Sequence, residues 1–156
     1  MLITKEADYA IRIMRSLKDK EKHTVKDICQ AEEVPESFAY KIIGKLQRAG
    51  YIIVERGVAG GCRLAVELKA LTLYDVVTAV DEEPMITPCM SQSCSRNEGG
   101  DACRVHAELK KVQTCLKERI RGTSLKERID TGKGLRQRPY ILREEAADLM
   151  EVYPLS

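Results

Sequence analysis

The sequence predicts a mainly α protein with a small two-stranded β hairpin and a long helix beyond it. Three observations carry that prediction. Apolar residues recur at helical spacing early in the chain, as Ala10, Ile13, Met14 and Leu17 do at i, i+3, i+4 and i+7. A β-rich run, Tyr51 to Glu55, is followed by glycine-rich residues 56–61 and a second short run at 62–65. Further on, Val105, Leu109, Val112, Leu116 and Ile120 form an apolar stripe with spacings of 4, 3, 4 and 4 along an otherwise charged segment.

Each element follows from local signals. Residues 4–19 read as an amphipathic helix with Thr4 as its N-cap. A charged turn over 18–23 comes next, in which His23 reads as solvated. Thr24 caps a short helix whose core face is Val25, Ile28 and Cys29. Glu32, Glu33 and Val34 make a tight turn, and Pro35 suits the first position of a third helix. That helix is expected to bury Phe38, Ile42, Leu46 and Ala49 and to stop at Gly50, a residue suited to C′. Tyr40, Lys41, Lys45 and Arg48 fall on its exposed face. Helix, short helix, turn, basic helix and hairpin, in that order, spell a winged helix-turn-helix.

Thr72 and Asp75 form a capping-box-like start to a fourth helix that runs to Val80 and ends over residues 81–84. Asp101 is placed to cap the long helix, expected from Ala102 to Arg121. Its stripe wants a partner, and the same helix of a second subunit is the simplest one, which makes it a dimerisation helix. The chain then divides into a winged DNA-binding domain over 1–81, a cysteine-rich loop over 82–101 and a dimerisation region over 102–130. A tail over 131–156, with a short amphipathic stretch near 144–150, has no assigned role.

Composition narrows the function. The 156 residues are 44% hydrophobic, enough for a core, yet contain no Trp and one Phe, which disfavours an aromatic substrate pocket or a base-stacking platform. The net charge of +2 hides segregation: residues 1–65 carry +3, residues 66–101 carry −5 and residues 102–130 carry +4. A mildly basic head beside an acidic middle suits a protein that docks one face on a polyanion. The first residues reach charge at once with no apolar signal region, and no apolar run approaches membrane-spanning length, so a cytoplasmic protein with no membrane partner is expected. No catalytic triad pattern, nucleotide-binding loop or paired-carboxylate site is evident, and His occurs only twice, which weighs against an enzyme.

The helix-turn-helix order points to double-stranded DNA. Residues early in its second helix reach base edges, so Ser37, Tyr40 and Lys41 are base-contact candidates, while Lys45 and Arg48 suit phosphates. Arg56 is the wing residue suited to the minor groove, with Gly57, Gly60 and Gly61 letting backbone come close.

Six cysteines in a reducing compartment point to metal or redox chemistry. Cys89, Cys94, Cys103 and His106 have four, eight and two residues between them, in and beside a polar loop that has little of its own to fold around. Three thiolates and an imidazole complete a tetrahedral set for zinc or for iron in a cluster. Cys29 and Cys115 read as structural, whereas Cys62, beside two glycines on the wing, is left open as a candidate exposed, oxidisable thiol.

Residues 3–9, the helix start at 35–38, residues 46–50, the Arg56-Gly57 and Gly60-Gly61 wing and residues 73–82 together resemble the IscR/NsrR/CymR family of bacterial winged-helix regulators. The loop with Cys103 and His106 is similar to that of the cluster-binding members. The resemblance covers about residues 1–130 and implies a homodimer on a palindromic operator, most simply a repressor, sensing iron–sulfur status, nitric oxide or redox state. It makes His106 the fourth ligand of a [2Fe–2S] cluster, favoured over a [4Fe–4S] cluster in which Asp8 of the partner's first helix replaces it. Zinc is the alternative metal, and a CymR-like interaction with a metabolic enzyme, with the cysteines as thiol sensors, is the alternative role. The chain departs from the family pattern in its uneven cysteine gaps, in Cys62 where an aromatic residue is common, in Tyr40 where IscR carries glutamate, and in the tail beyond residue 130.

Overall fold

The computed structural model describes residues 3–57, 60–92, 94, 96 and 103–130; the amphipathic stretch expected near 144–150 and the Asp101 cap lie outside them. Three threonines start helices by the same short-range device. Thr4 accepts from the Ala7 N–H at 3.2 Å and opens α1 (Lys5–Ser16), and Thr24 accepts from the Asp27 N–H at 3.2 Å and opens α2 (Val25–Glu32). Ala7, Ala10, Ile13 and Met14 form the buried face of α1. Glu33 ends α2 in the left-handed region at φ 53°, and Pro35, in extended conformation, caps rather than begins α3 (Glu36–Arg48).

Helix α3 closes as the sequence predicts. Gly50 sits at φ 78°, its N–H donates to the Gln47 carbonyl and the Tyr51 N–H to the Leu46 carbonyl, a Schellman ending. Its core face differs from expectation: Ala39, Ile42, Ile43 and Leu46 are buried, whereas Ala49 is exposed and Phe38 is 39% exposed. Ala39 takes the inner position one residue on, which turns Phe38 to the flank, where its ring meets Tyr9 of α1 edge-on at 5.6 Å. Ala49 lies beyond the last turn, where the chain is already leaving the core.

Strands β1 (Ile52–Glu55) and β2 (Gly61–Leu64) pair antiparallel, with Ile52 opposite Leu64 and Glu55 opposite Gly61. His23, expected to be solvated, adds a single antiparallel rung on the other side of β2: its N–H donates to the Cys62 carbonyl at 3.0 Å and its carbonyl accepts from the Cys62 N–H at 2.8 Å. The pairing shields Cys62 completely, so the exposed, oxidisable reading of that thiol is overturned. Cys29 is buried as expected.

Thr72 and Asp75 make a full capping box at the start of α4 (Leu73–Val80), which buries Val76, Val77 and Val80. The long helix α5 runs from Arg104 to Arg121, with Cys103 at its N-cap, two residues later than expected. It leans on α4 and the turn after it through cation–π and polar contacts: the Arg121 guanidinium lies 3.9 Å from the Tyr74 ring centroid, and Lys117 pairs with Glu83, beyond the end of α4, at 2.7 Å. Two of its five stripe residues stay exposed within one chain, Val105 at 66% and Val112 at 55%, while Leu109, Leu116 and Ile120 are half-buried. Cys115, expected to be structural, is exposed, because α5 turns only a narrow side inward. The last helix among the described residues, α6 (Leu125–Asp130), folds back: the Leu125 N–H bonds the Leu71 carbonyl at 2.7 Å, and Leu125 and Ile129 join the same core as α1 to α4.

Candidate nucleic-acid interface and cysteine centre

The second helix of the helix-turn-helix, α3, presents Ser37, Tyr40, Lys41 and Arg48 to solvent. Tyr40 is 61% exposed. Lys45 is different. Its ammonium reaches Glu6 of α1 at 2.5 Å and donates to the Val80 carbonyl at the end of α4, so this residue ties three helices together. The position also places a cation at the negative end of α4. Lys41 binds the other oxygen of Glu6 at 2.5 Å. These two hydrogen bonds, Lys41 first, hold the Glu6 carboxyl below its usual range. Glu6 has no obvious sequence signal, since an acid in a first helical turn is ordinary.

On the wing, Arg56 and Gly57 are exposed, and Gly57 adopts φ 109°, a conformation that favours glycine. Gly60 and Gly61 serve the chain itself. A Cβ at Gly60 would lie 2.6 Å from the Glu55 carbonyl oxygen, and one at Gly61 would lie 2.6 Å from that of His23. The turn and the His23 rung thus demand these glycines before any DNA does.

The cysteine segment leaves α4 and returns at α5. Cys89 lies in a 3-10 turn at Pro88–Met90, its sulfur 3.7 Å from the Thr87 hydroxyl; Cys94 follows, and Cys103 caps α5 one turn before His106. All three cysteines are half-buried, and none of the six forms a disulfide. His106 lines a cavity of about 210 Å³ with Met85, Met90, Lys110, Gln113 and Lys117, and its Nδ1 is buried with no hydrogen-bond partner. A buried imidazole nitrogen left in this way calls for a metal or a polar ligand. Among the described residues no three His, Cys, Asp or Glu side chains are gathered closely enough to hold an ion. The donor set therefore fits a thiophilic metal centre by its chemistry but is not drawn together in this arrangement. Asp8, the alternative ligand, pairs with Arg12 one turn on at 2.9 Å.

Gln113 escaped the sequence reading entirely. It is the buried residue of α5, and its amide meets two backbone groups of the segment that leads to Cys89. A lone glutamine on a charged helix looks like any solvated side chain, so nothing local marks it. No helix among the described residues is long and apolar enough to cross a membrane.

A winged helix-turn-helix with a basic second helix and a long outer helix defines a DNA-binding transcription regulator, and residues 3–131 match the Rrf2 family model, described as iron-dependent transcriptional regulators. The chain belongs to the Rrf2 family, whose members are regulators and not enzymes. It is 28% identical to protein aau3 of Rhizobium meliloti (strain 1021) over 127 residues, 80% of this chain and 82% of that one. Among solved structures it is similar to CymR, the global cysteine regulator of B. subtilis, with TM-score 0.67, 23% identity, and 84% of this chain and 98% of that one covered. It is also similar to the T. potens IscR, with TM-score 0.68, 17% identity, and coverage of 89% and 93%. At these identities the two structures speak for the fold, and the resemblance to the IscR/NsrR/CymR regulators is confirmed at the level of family.

Proposed function

We propose that this regulator acts as a cytoplasmic homodimeric repressor on a palindromic operator and senses iron–sulfur status, nitric oxide or redox state through Cys89, Cys94, Cys103 and His106. The observation that carries the reading, in a chain of an iron-dependent family, is the buried, unpartnered Nδ1 of His106, one turn after Cys103; Cys89, Cys94 and Cys103 are half-buried and free of disulfides. A cluster bound there would supply iron–thiolate bonds that respond to oxidants and nitric oxide. The chain's own part is to bring thiolates from the loop to the first turn of α5, which ties residues 89–103 to the helix that carries the apolar stripe. The exposed Val105 and Val112 support a second subunit as the stripe's partner. Ser37, Tyr40 and Lys41 would read bases, Arg48 a phosphate and Arg56 the minor groove.

Anaerobic purification with visible spectroscopy and with iron, sulfide and zinc analysis tests this reading. A brown protein with equal iron and acid-labile sulfide supports it, and two irons per chain would assign the favoured [2Fe–2S] form over [4Fe–4S]. A colourless protein with one zinc per chain would replace the sensor by a structural zinc site. DNA binding seen only with a metabolic enzyme present would favour the CymR-like role.

A further inference from the structure

The strongest observation outside the ligand set is the Gln113 amide. Its Oε1 accepts from the Ile86 N–H at 2.9 Å, and its Nε2 donates to the Pro84 carbonyl at 2.8 Å. The side chain is 5% exposed, so both ends of a buried amide and two backbone groups satisfy one another. Ile86 precedes Cys89 by three residues, and Gln113 follows His106 by seven, two turns along the same face of α5. His106 and Gln113 line one cavity, with Met85 and Met90 of the segment opposite them. The segment is thus fastened to α5 at Gln113, at the end nearer α4, while His106 stands towards the cysteines. Lys117 and Glu83 add a partly exposed ion pair one turn further along.

We propose that Gln113 is a positioning residue that couples the cysteine segment to α5, so that a change at the cysteines displaces the helix bearing the subunit stripe. Residues 84–90 cannot slide along α5 without breaking both amide bonds and leaving both ends of the amide and two backbone groups unpaired, so segment and helix move together. The proposal rests on the reading of the cysteine segment as the sensing element. Its own content is the mechanical link, and that link is open to test with or without metal.

The test compares full-length wild type with Gln113→Met, which keeps the volume and removes both bonds. Gln113→Glu keeps the acceptor for Ile86 and loses the donor to Pro84, so it reads the same link if the methionine variant does not fold. Hydrogen exchange by residue, iron content and operator affinity are measured on metal-loaded and metal-stripped protein, with circular dichroism as the folding control. In the stripped variant the Ile86 amide and the α5 amides are expected to exchange at least about tenfold faster than in wild type. In the loaded variant iron content is retained, while the ratio of loaded to stripped operator affinity falls to near one. If wild type responds to iron and Gln113→Met responds equally, the link is overturned and the sensor reading stands. If wild type shows no iron response, the sensor reading fails and the link is judged on exchange. Faster exchange confined to residue 86, with α5 unchanged, would then overturn it.

Discussion

Cys62 and Cys115 carry the same thiol in opposite surroundings. Cys62 is fully enclosed between the wing and the His23 rung, and burial, with a smaller contribution from Cys29, pushes its pKa up to about 11. Only the thiolate is nucleophilic, so at pH 8 about one Cys62 in a thousand is ionised, and that one is inaccessible. Native alkylation with a maleimide at pH 8 is expected to modify the exposed Cys115 while Cys62 reacts only after denaturation. Equal rates at the two sites, read by peptide mass spectrometry, would show that the wing opens freely. Glu6 permits a second residue-scale prediction. Its folded-state pKa lies below the ordinary 4.5, so its bridges stabilise the fold above that pH and are lost as pH falls through the folded value. Glu6→Gln is expected to cost about 1 kcal/mol at pH 7 in urea unfolding, for two linked, partly shielded bridges. The gap between variant and wild type should close as the pH is taken down from 4.5.

At the scale of elements, the wing and α3 each separate structural from binding duties. Gly61→Ala would set a Cβ 2.6 Å from the His23 carbonyl oxygen, a backbone atom that cannot swing aside. A loss of about 2 kcal/mol, typical of overpacking, is expected in thermal or chemical unfolding. A neutral result would mean that the His23 rung is dispensable. Within α3, Lys45 and Arg48 should now behave differently. Arg48→Ala is expected to reduce the slope of log affinity for DNA against log salt by about 0.9, the value for one phosphate contact, with little change in stability. Lys45→Ala removes the tie between Glu6 and the Val80 carbonyl, so it should lower stability more than it lowers that slope. The reverse pattern would return Lys45 to the DNA-facing side.

For the whole molecule, α6 decides how far the core extends. Leu125 is fully buried and its N–H bonds Leu71, so a helix that follows the long outer one completes the domain built by the first 80 residues. Leu125→Ala is expected to cost about 3 kcal/mol, in the range for a buried leucine. A cost under about 1 kcal/mol in equilibrium unfolding would show α6 to be detachable. The elements most legible in the sequence were those whose signals sit within a turn or two of one another. Thr4, Thr24 and Thr72 bond to N–H groups three residues on, Gly50 takes the left-handed angle that its chemistry favours, and the α5 stripe repeats at helical spacing. Those local rules were enough to determine a helix-turn-helix with a wing and a long apolar-striped helix. The tertiary structure alone decided that Cys62 is shut in by His23, that Lys45 turns inward to Glu6 and Val80, and that Gln113 grips Pro84 and Ile86. Each of these contacts joins residues some 27 to 39 positions apart. A buried polar atom takes whichever partner the packing of distant elements brings to it, and no pattern in neighbouring residues records that choice.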